Sequence, residues 1–176
     1  LRLLRAVRFA SNLNFTIEPA TWEALVKMAP LIRSVSPERI RDELTRWLTG
    51  PHPEIGLDLL DASGLLALLL PEVAAQKGCT QSPDYHPEGD VHQHVRLMLT
   101  HLREPTPILA WSVLLHDIGK PRTRTVDSDG RIRFHGHEGV GAHMARELLA
   151  RLRFSNADTD AIVACVANHM AFKDVP

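Results

Sequence analysis

An apolar run, ILAWSVLL, ends at residues 116 and 117 in an adjacent His-Asp pair, and Gly-Lys-Pro follows at once. A helix carrying that run has to be buried, so the two polar side chains sit at its inner end and other elements must enclose them. The rest of the chain offers mainly helices, since almost every periodic segment has helical spacing. LRLLRAVRFASNL sets Leu1, Leu4, Val7 or Arg8 and Leu13 roughly along one side, and Pro19 can open a helix ahead of TWEALVKMA. Ser36-Pro37-Glu38 reads as an N-cap, a first-turn proline and a first-turn acid, with Gly50 closing that helix. PEIGLDLLDASGLLALLLPEV gives two short apolar helices broken at Ser63-Gly64. Four more follow in GDVHQHVRLMLTHL, PILAWSVLLHDI, GHEGVGAHMARELLARL and SNADTDAIVACVANHM, the last with Ser155 and Asp158 in a capping arrangement. RTRTVDSDGRIRFH alternates about an Asp-Gly turn and predicts a short β-hairpin. The polar segment 76–90, with two prolines and two glycines, is the candidate linker. The expected fold is all-α in two subdomains, residues 1–85 and 86–176, the second with a small β-hairpin insertion. The chain starts in a helix without Met and stops at DVP, and so reads as a piece of something longer.

Composition bounds the function classes. With 44% hydrophobic and 23% charged residues the chain is globular, and no apolar run approaches the roughly 20 residues that span a bilayer. No membrane partner is expected. Two distant cysteines, Cys79 and Cys165, fit a reduced, cytoplasmic protein. The net charge of −1 excludes a general nucleic-acid magnet, yet residues 1–50 hold eight Lys/Arg against five Asp/Glu.

Histidine is abundant, ten residues of 176. His94 lies on the apolar stripe Val91, Val95, Met98 and Leu102, whereas His92 lies off it and is read as solvated. A histidine turned to a core needs its ring nitrogens satisfied by a hydrogen bond or a metal. Burying the Asp117 carboxylate costs several kcal/mol unless it is paired or metal-bound. Two readings stand: Asp117 C-caps its helix beside a packed His116, or both are metal ligands. His94 one helix earlier, His137 opening a glycine-rich helix and His169 ending the last helix favour the metal. Imidazole with carboxylate suits Mn, Fe, Co or Ni, or Mg where oxygens dominate.

The pattern His94, His116-Asp117, His137, His169, with HDIGKP as its centre, resembles the HD superfamily of metal-dependent phosphohydrolases. The resemblance implies a metal-bound water attacking a phosphate ester, with His94, His116 and Asp117 as ligands and Asp117 catalytic. It gives His137 and His169 a second metal or the substrate phosphate. Lys120, the other catalytic candidate, would neutralise a phosphate oxygen, as would Arg122 or Arg124; a solvated hairpin face is the alternative for the two arginines. The family closes its site with a later Asp. Asp174 is too near His169 to serve, so that ligand is expected beyond residue 176.

LRLLRAVRFASNLNFTIEPAT is similar to the segment of bacterial tRNA nucleotidyltransferases and poly(A) polymerases that follows their catalytic head. SPERIRDELTRWLTGPHPEIGLDLLDASGLLALLLPE resembles their RNA-binding neck. By this resemblance Arg2 reads the base edge of an incoming nucleotide, Arg5 supports it or a phosphate, and Arg39 and Arg46 meet RNA phosphates. The implied partners are tRNA or other RNA 3′ ends, with ATP and CTP for the full-length protein. No Gly-Ser stretch with a paired D-x-D follows a strand pattern, so this stretch alone is not expected to add nucleotides. The function expected is tRNA binding joined to an HD phosphohydrolase acting on 2′,3′-cyclic or terminal phosphates. The alternatives are a catalytically silent HD scaffold for RNA and a free-standing nucleotide phosphohydrolase.

Overall fold

Proline marks the start of several helices, because its fixed φ suits the first turn and its missing N–H is not needed there. The computed structural model describes residues 1–82, 87 and 89–172, with Phe172 described by its backbone only. Helix α1 spans Arg2–Leu13 and α2 Pro19–Met28, which runs into a 3-10 turn, Ala29–Ser34. Then come α3 Pro37–Leu48, α4 Pro53–Ala62, α5 Leu65–Leu69 and α6 Pro71–Ala74. The second half holds α7 Val91–Thr100, α8 Pro107–Leu115, the short α9 Lys120–Thr123, α10 His137–Arg151 and α11 Asn156–Asn168, closed by a 3-10 turn, His169–Phe172. The all-α expectation holds. The expected hairpin is the antiparallel pair β1 Thr125–Val126 and β2 Ile132–Arg133, with Val126 opposite Ile132. Gly130, at φ 81°, makes its turn in a conformation that favours glycine.

Local chemistry differs from expectation in places. Ser155 Oγ accepts from the Asp158 N–H at 3.1 Å and donates to Asp158 Oδ2 at 2.7 Å, the capping arrangement read from the sequence. Ser36 makes no such side-chain cap, although α3 does begin after it. On α1 the buried residues are Leu4, Val7, Ala10 and Ser11, whereas Leu13 is 54% exposed. Nine positions at about 100° each set Leu13 half a turn from Leu4, on the opposite face. The described ends of the candidate linker are packed: Gln76, Cys79 and Gln81 are buried, and Thr80 bridges to Asp90. Residues 83–86 and 88, where the boundary near residue 85 was read, lie outside the described residues, as does Asp174.

One apolar cluster runs from Leu4 on α1 to Val166 on α11. Trp111 of α8 donates its Nε1–H to Thr45 Oγ1 of α3 at 3.0 Å, and its ring meets Phe154 edge-on at 5.2 Å. Arg96 of α7 grips Asp58 of α4, its Nη2 donating to Oδ2 at 2.7 Å.

A buried acid ties α1 to α3. The Glu43 side chain is only 2% exposed and accepts from Arg8 Nε at 2.9 Å, Arg5 Nε at 3.2 Å and Arg46 Nη1 at 3.3 Å. Burial alone would raise its pKa, but Arg8 and Arg5 outweigh burial and hold it below the usual carboxylate range. A depressed carboxylate contributes stability above its unfolded pKa of about 4.3, and that stability is lost as pH falls through the lower folded value. Glu43→Gln is therefore expected to cost about 1–3 kcal/mol near pH 7, the half-exposed Arg5 and Arg46 regaining water on release. The gap to wild type should close below about pH 4 in urea melts; a constant gap from pH 7 to 3 would show that charge is not the cause.

Candidate metal centre

The buried α8 delivers His116 and Asp117 to a tight turn, and Gly119 decides what comes next. Its backbone lies so close to α10 that an added Cβ would sit 2.1 Å from the His137 carbonyl oxygen and 2.7 Å from the Gly141 nitrogen. Absence of a side chain there lets α10 bring His137 to Asp117, and α11 then brings His169. Asp117 becomes the hub. Its Oδ2 lies 3.1 Å from His116 Nε2 and 3.9 Å from His94 Nε2, and its Oδ1 lies 3.4 Å from His137 Nε2 and 3.6 Å from His169 Nε2. The expected ligands thus form two groups that share one carboxylate: His94, His116, Asp117 and Asp117, His137, His169.

The proton positions follow from the partners. His116 Nδ1 is 2.8 Å from the Val113 carbonyl, His137 Nδ1 2.8 Å from that of Phe134, and His169 Nδ1 2.7 Å from that of Val166. A carbonyl only accepts, so each Nδ1 carries a proton, and each Nε2 is left to face the carboxylate, where it takes up a second proton on a charged ring or offers a lone pair to a cation on a neutral one. The Nε2 atoms of His137 and His169 then face one another across 3.1 Å, beside an Asp117 Oδ1 that has no hydrogen-bond partner and is buried. Such an arrangement calls for a positive charge between them, a proton or a metal ion. Ligand bonds of about 2.1 Å place neighbouring donors roughly 3.0–3.4 Å apart, and the second group, at 3.1, 3.4 and 3.6 Å, lies within a few tenths of an ångström of that spacing. The residues present fit a divalent cation. The first group, with its 3.9 Å separation, is looser.

Electrostatics agree. Burial would raise the Asp117 pKa, yet its contacts with His116, His137 and His169 outweigh burial and hold the carboxyl well below its usual range. Burial lowers His169, and Asp117 then raises it above its ordinary value.

His92 is a correction. It is 4% exposed rather than solvated, with Nδ1 unpartnered, and burial pushes its pKa down so that it stays neutral. The buried stripe of α7 is Val91, His92, Val95 and Leu99, rotated from the one read in the sequence because both α4 and α8 pack on this helix. His94 is left half-buried at the edge, where it reaches Asp117.

Comparison with known proteins adds a lineage. Residues 14–77 match the family model described as the probable RNA and SrmB-binding site of polymerase A, and residues 90–176 match that of the HD domain. An A-adding tRNA nucleotidyltransferase of Deinococcus radiodurans is 40% identical over 180 residues, covering 97% of this chain and 41% of that protein. A CC-adding tRNA nucleotidyltransferase of Thermus thermophilus is 38% identical over 178 residues, with 97% and 41% covered. A multifunctional CCA protein of Halorhodospira halophila is 36% identical over 177 residues, with 97% and 42% covered. The chain belongs to the tRNA nucleotidyltransferase and poly(A) polymerase family. It spans about two fifths of the length of these curated relatives, 41–42%.

Within this tRNA nucleotidyltransferase-family chain, the arginines singled out in the sequence lie in different settings. Arg2 and Arg39 are exposed, while Arg5 and Arg46 converge on Glu43. Arg122 is exposed, and Arg124 donates to Thr80 Oγ1 at 3.0 Å. Lys120, expected to neutralise a phosphate oxygen, already has an acid for a neighbour. It is buried, its Nζ 2.8 Å from Asp117 Oδ2 and 2.6 Å from Gln81 Oε1. Gln81 was not among the expected site residues: it sits in a polar stretch with no periodicity, and nothing in its spacing points to Lys120. No helix among the described residues is long and apolar enough to cross a membrane.

Proposed function

We propose that this chain is the part of a tRNA nucleotidyltransferase that binds tRNA and carries a metal-dependent phosphohydrolase site for 2′,3′-cyclic or terminal phosphate esters. The observation that carries the reading is the partnerless Asp117 Oδ1, faced by the Nε2 atoms of two rings whose Nδ1 protons are committed to carbonyls. His137, His169 and Asp117 would hold one divalent ion, and His94 and His116 with the same carboxylate a second; Mg, Mn, Ni, Co and Fe are the candidates. A bound divalent ion supplies Lewis acidity toward water and phosphate oxygens near neutral pH. The protein's own share is positional. Carbonyls of Val113, Phe134 and Val166 lock three imidazole tautomers, burial keeps bulk water from the carboxylate, and Lys120 balances its charge. Half-buried His94, His116 and His169 are the members of the set open to an incoming ester, whereas His137 and Asp117 are buried. Exposed Arg2 and Arg39 are proposed contacts for nucleotide and RNA, with Arg122 and Arg124 near the phosphate.

Titration with Mn²⁺ and Ni²⁺ and an assay with 2′,3′-cyclic AMP test the reading. Metal uptake with release of a phosphomonoester, lost in His137→Ala, is the expected result. Metal uptake without turnover would leave a binding scaffold, and no uptake would remove the hydrolase reading altogether. For the RNA part, tRNA affinity should fall as salt rises, and Arg39→Ala should reduce that slope by about one.

A further inference from the structure

Lys120 sits among the candidate ligands although an ammonium cannot bind a cation. Its Nζ has three protons and three neighbours: Asp117 Oδ2 at 2.8 Å, Gln81 Oε1 at 2.6 Å and the face of Phe134, whose ring centroid is 5.3 Å away. Gln81 lies 39 positions earlier in the chain and is buried. An ammonium only donates, so the amide must turn Oε1 toward it, and its Nε2 is left without a partner. The backbone around Gln81 is pinned by the Thr80–Asp90 bridge and by the Val91 N–H donating to the Cys79 carbonyl at 3.0 Å. Gln81 is thus a fixed acceptor rather than a mobile one.

The two oxygens of Asp117 are treated differently as a result. Oδ2 takes the ammonium, and Oδ1, facing His137 and His169, takes no hydrogen bond. Were the ammonium free, Oδ1 would be a ready acceptor for it, and a cation at the second group would then compete with a covalently tethered one. We infer that Gln81 is a positioning residue for the metal centre: its carbonyl holds Lys120 on Oδ2 and so keeps Oδ1 open to a divalent ion. The inference rests on the metal-centre reading above. Removing the acceptor leaves a buried ammonium proton unpaired, which drives Lys120 to bridge both carboxylate oxygens.

The test is Mn²⁺ affinity of the whole chain by competition with a chelating dye, with thermal unfolding of the metal-free proteins as a check of fold. Gln81→Leu is expected to bind Mn²⁺ about 10–100-fold more weakly, the usual effect of losing a partner behind the ligands. Gln81→Glu restores an acceptor and should bind at least as tightly as wild type. Gln76→Leu serves as the control: Gln76 is equally buried, with both amide atoms unpartnered and no place in either ligand group, and its affinity should not change. Should the leucine variant not fold, Gln81→Met gives the same comparison with a flexible side chain. Wild-type affinity in the apolar variants, an equal loss in Gln81→Glu or an equal loss in Gln76→Leu overturns the inference and leaves the metal reading standing. Wild-type protein that takes up no Mn²⁺ overturns both.

Discussion

Gly119→Ala is expected to lower stability by roughly 3 kcal/mol, at the upper end of overpacking costs. At the usual 2–4 °C per kcal/mol for a chain of this size, the melting temperature falls by about 6–12 °C. The reason is space, not conformation. Gly119 has φ −77°, which any residue adopts, but a Cβ would lie 2.1 Å from the His137 carbonyl oxygen and 3.0 Å from its carbon. Those atoms are backbone at the start of α10, so no side chain can swing aside. Relief requires the helix to move off the turn, taking His137 from Asp117, so metal affinity should fall with stability. Gly141→Ala approaches the same contact from the other side at 3.3 Å, where a few tenths of an ångström suffice. It should cost less than half as much. Differential scanning calorimetry of both variants decides the matter: equal melting temperatures for Gly119→Ala and wild type would refute the account.

That contact shows where reading from sequence succeeds and where it stops. The helices announced themselves through Pro19 and Pro37 at their starts and Ser155 at a cap, all signals confined to a few neighbouring residues. His116, His137 and His169 were legible because each sits at a helix end, where a polar ring needs a reason, whereas His94 stands out on a stripe that the fold buries only in part. His92 was misplaced because the buried side of α7 depends on α4, a partner that periodicity cannot name. Lys120 reads as free to neutralise a phosphate oxygen, since one of its two acceptors lies 39 positions away and gives no local signal. Glu43 likewise reads as one more charge on a polar helix, and only packing α1 onto α3 makes it the acceptor of three arginines.

Asp117→Asn should separate the metal from the fold. Losing the carboxylate removes the one ligand common to both groups, so Mn²⁺ affinity is expected to fall by more than the roughly 100-fold that marks the loss of a supporting residue. Stability without metal should change far less. Breaking a buried ion pair outright costs about 3–5 kcal/mol, because the remaining charge is stranded. Here Lys120 keeps the Gln81 carbonyl and gains the carbonyl of the new amide, whose N–H groups point at the lone pairs of His137 and His169. Those donor bonds offset much of the loss, leaving about 1–2 kcal/mol. Ligand-induced stabilisation then gives a clean readout. At Mn²⁺ a hundredfold above its dissociation constant, wild type gains about 2.7 kcal/mol, or roughly 5–11 °C in melting temperature. The Asp117→Asn variant should show no such rise. An equal rise in both would mean that Mn²⁺ binds elsewhere, and Asp117 would return to being a helix-terminal carboxylate held by its neighbours.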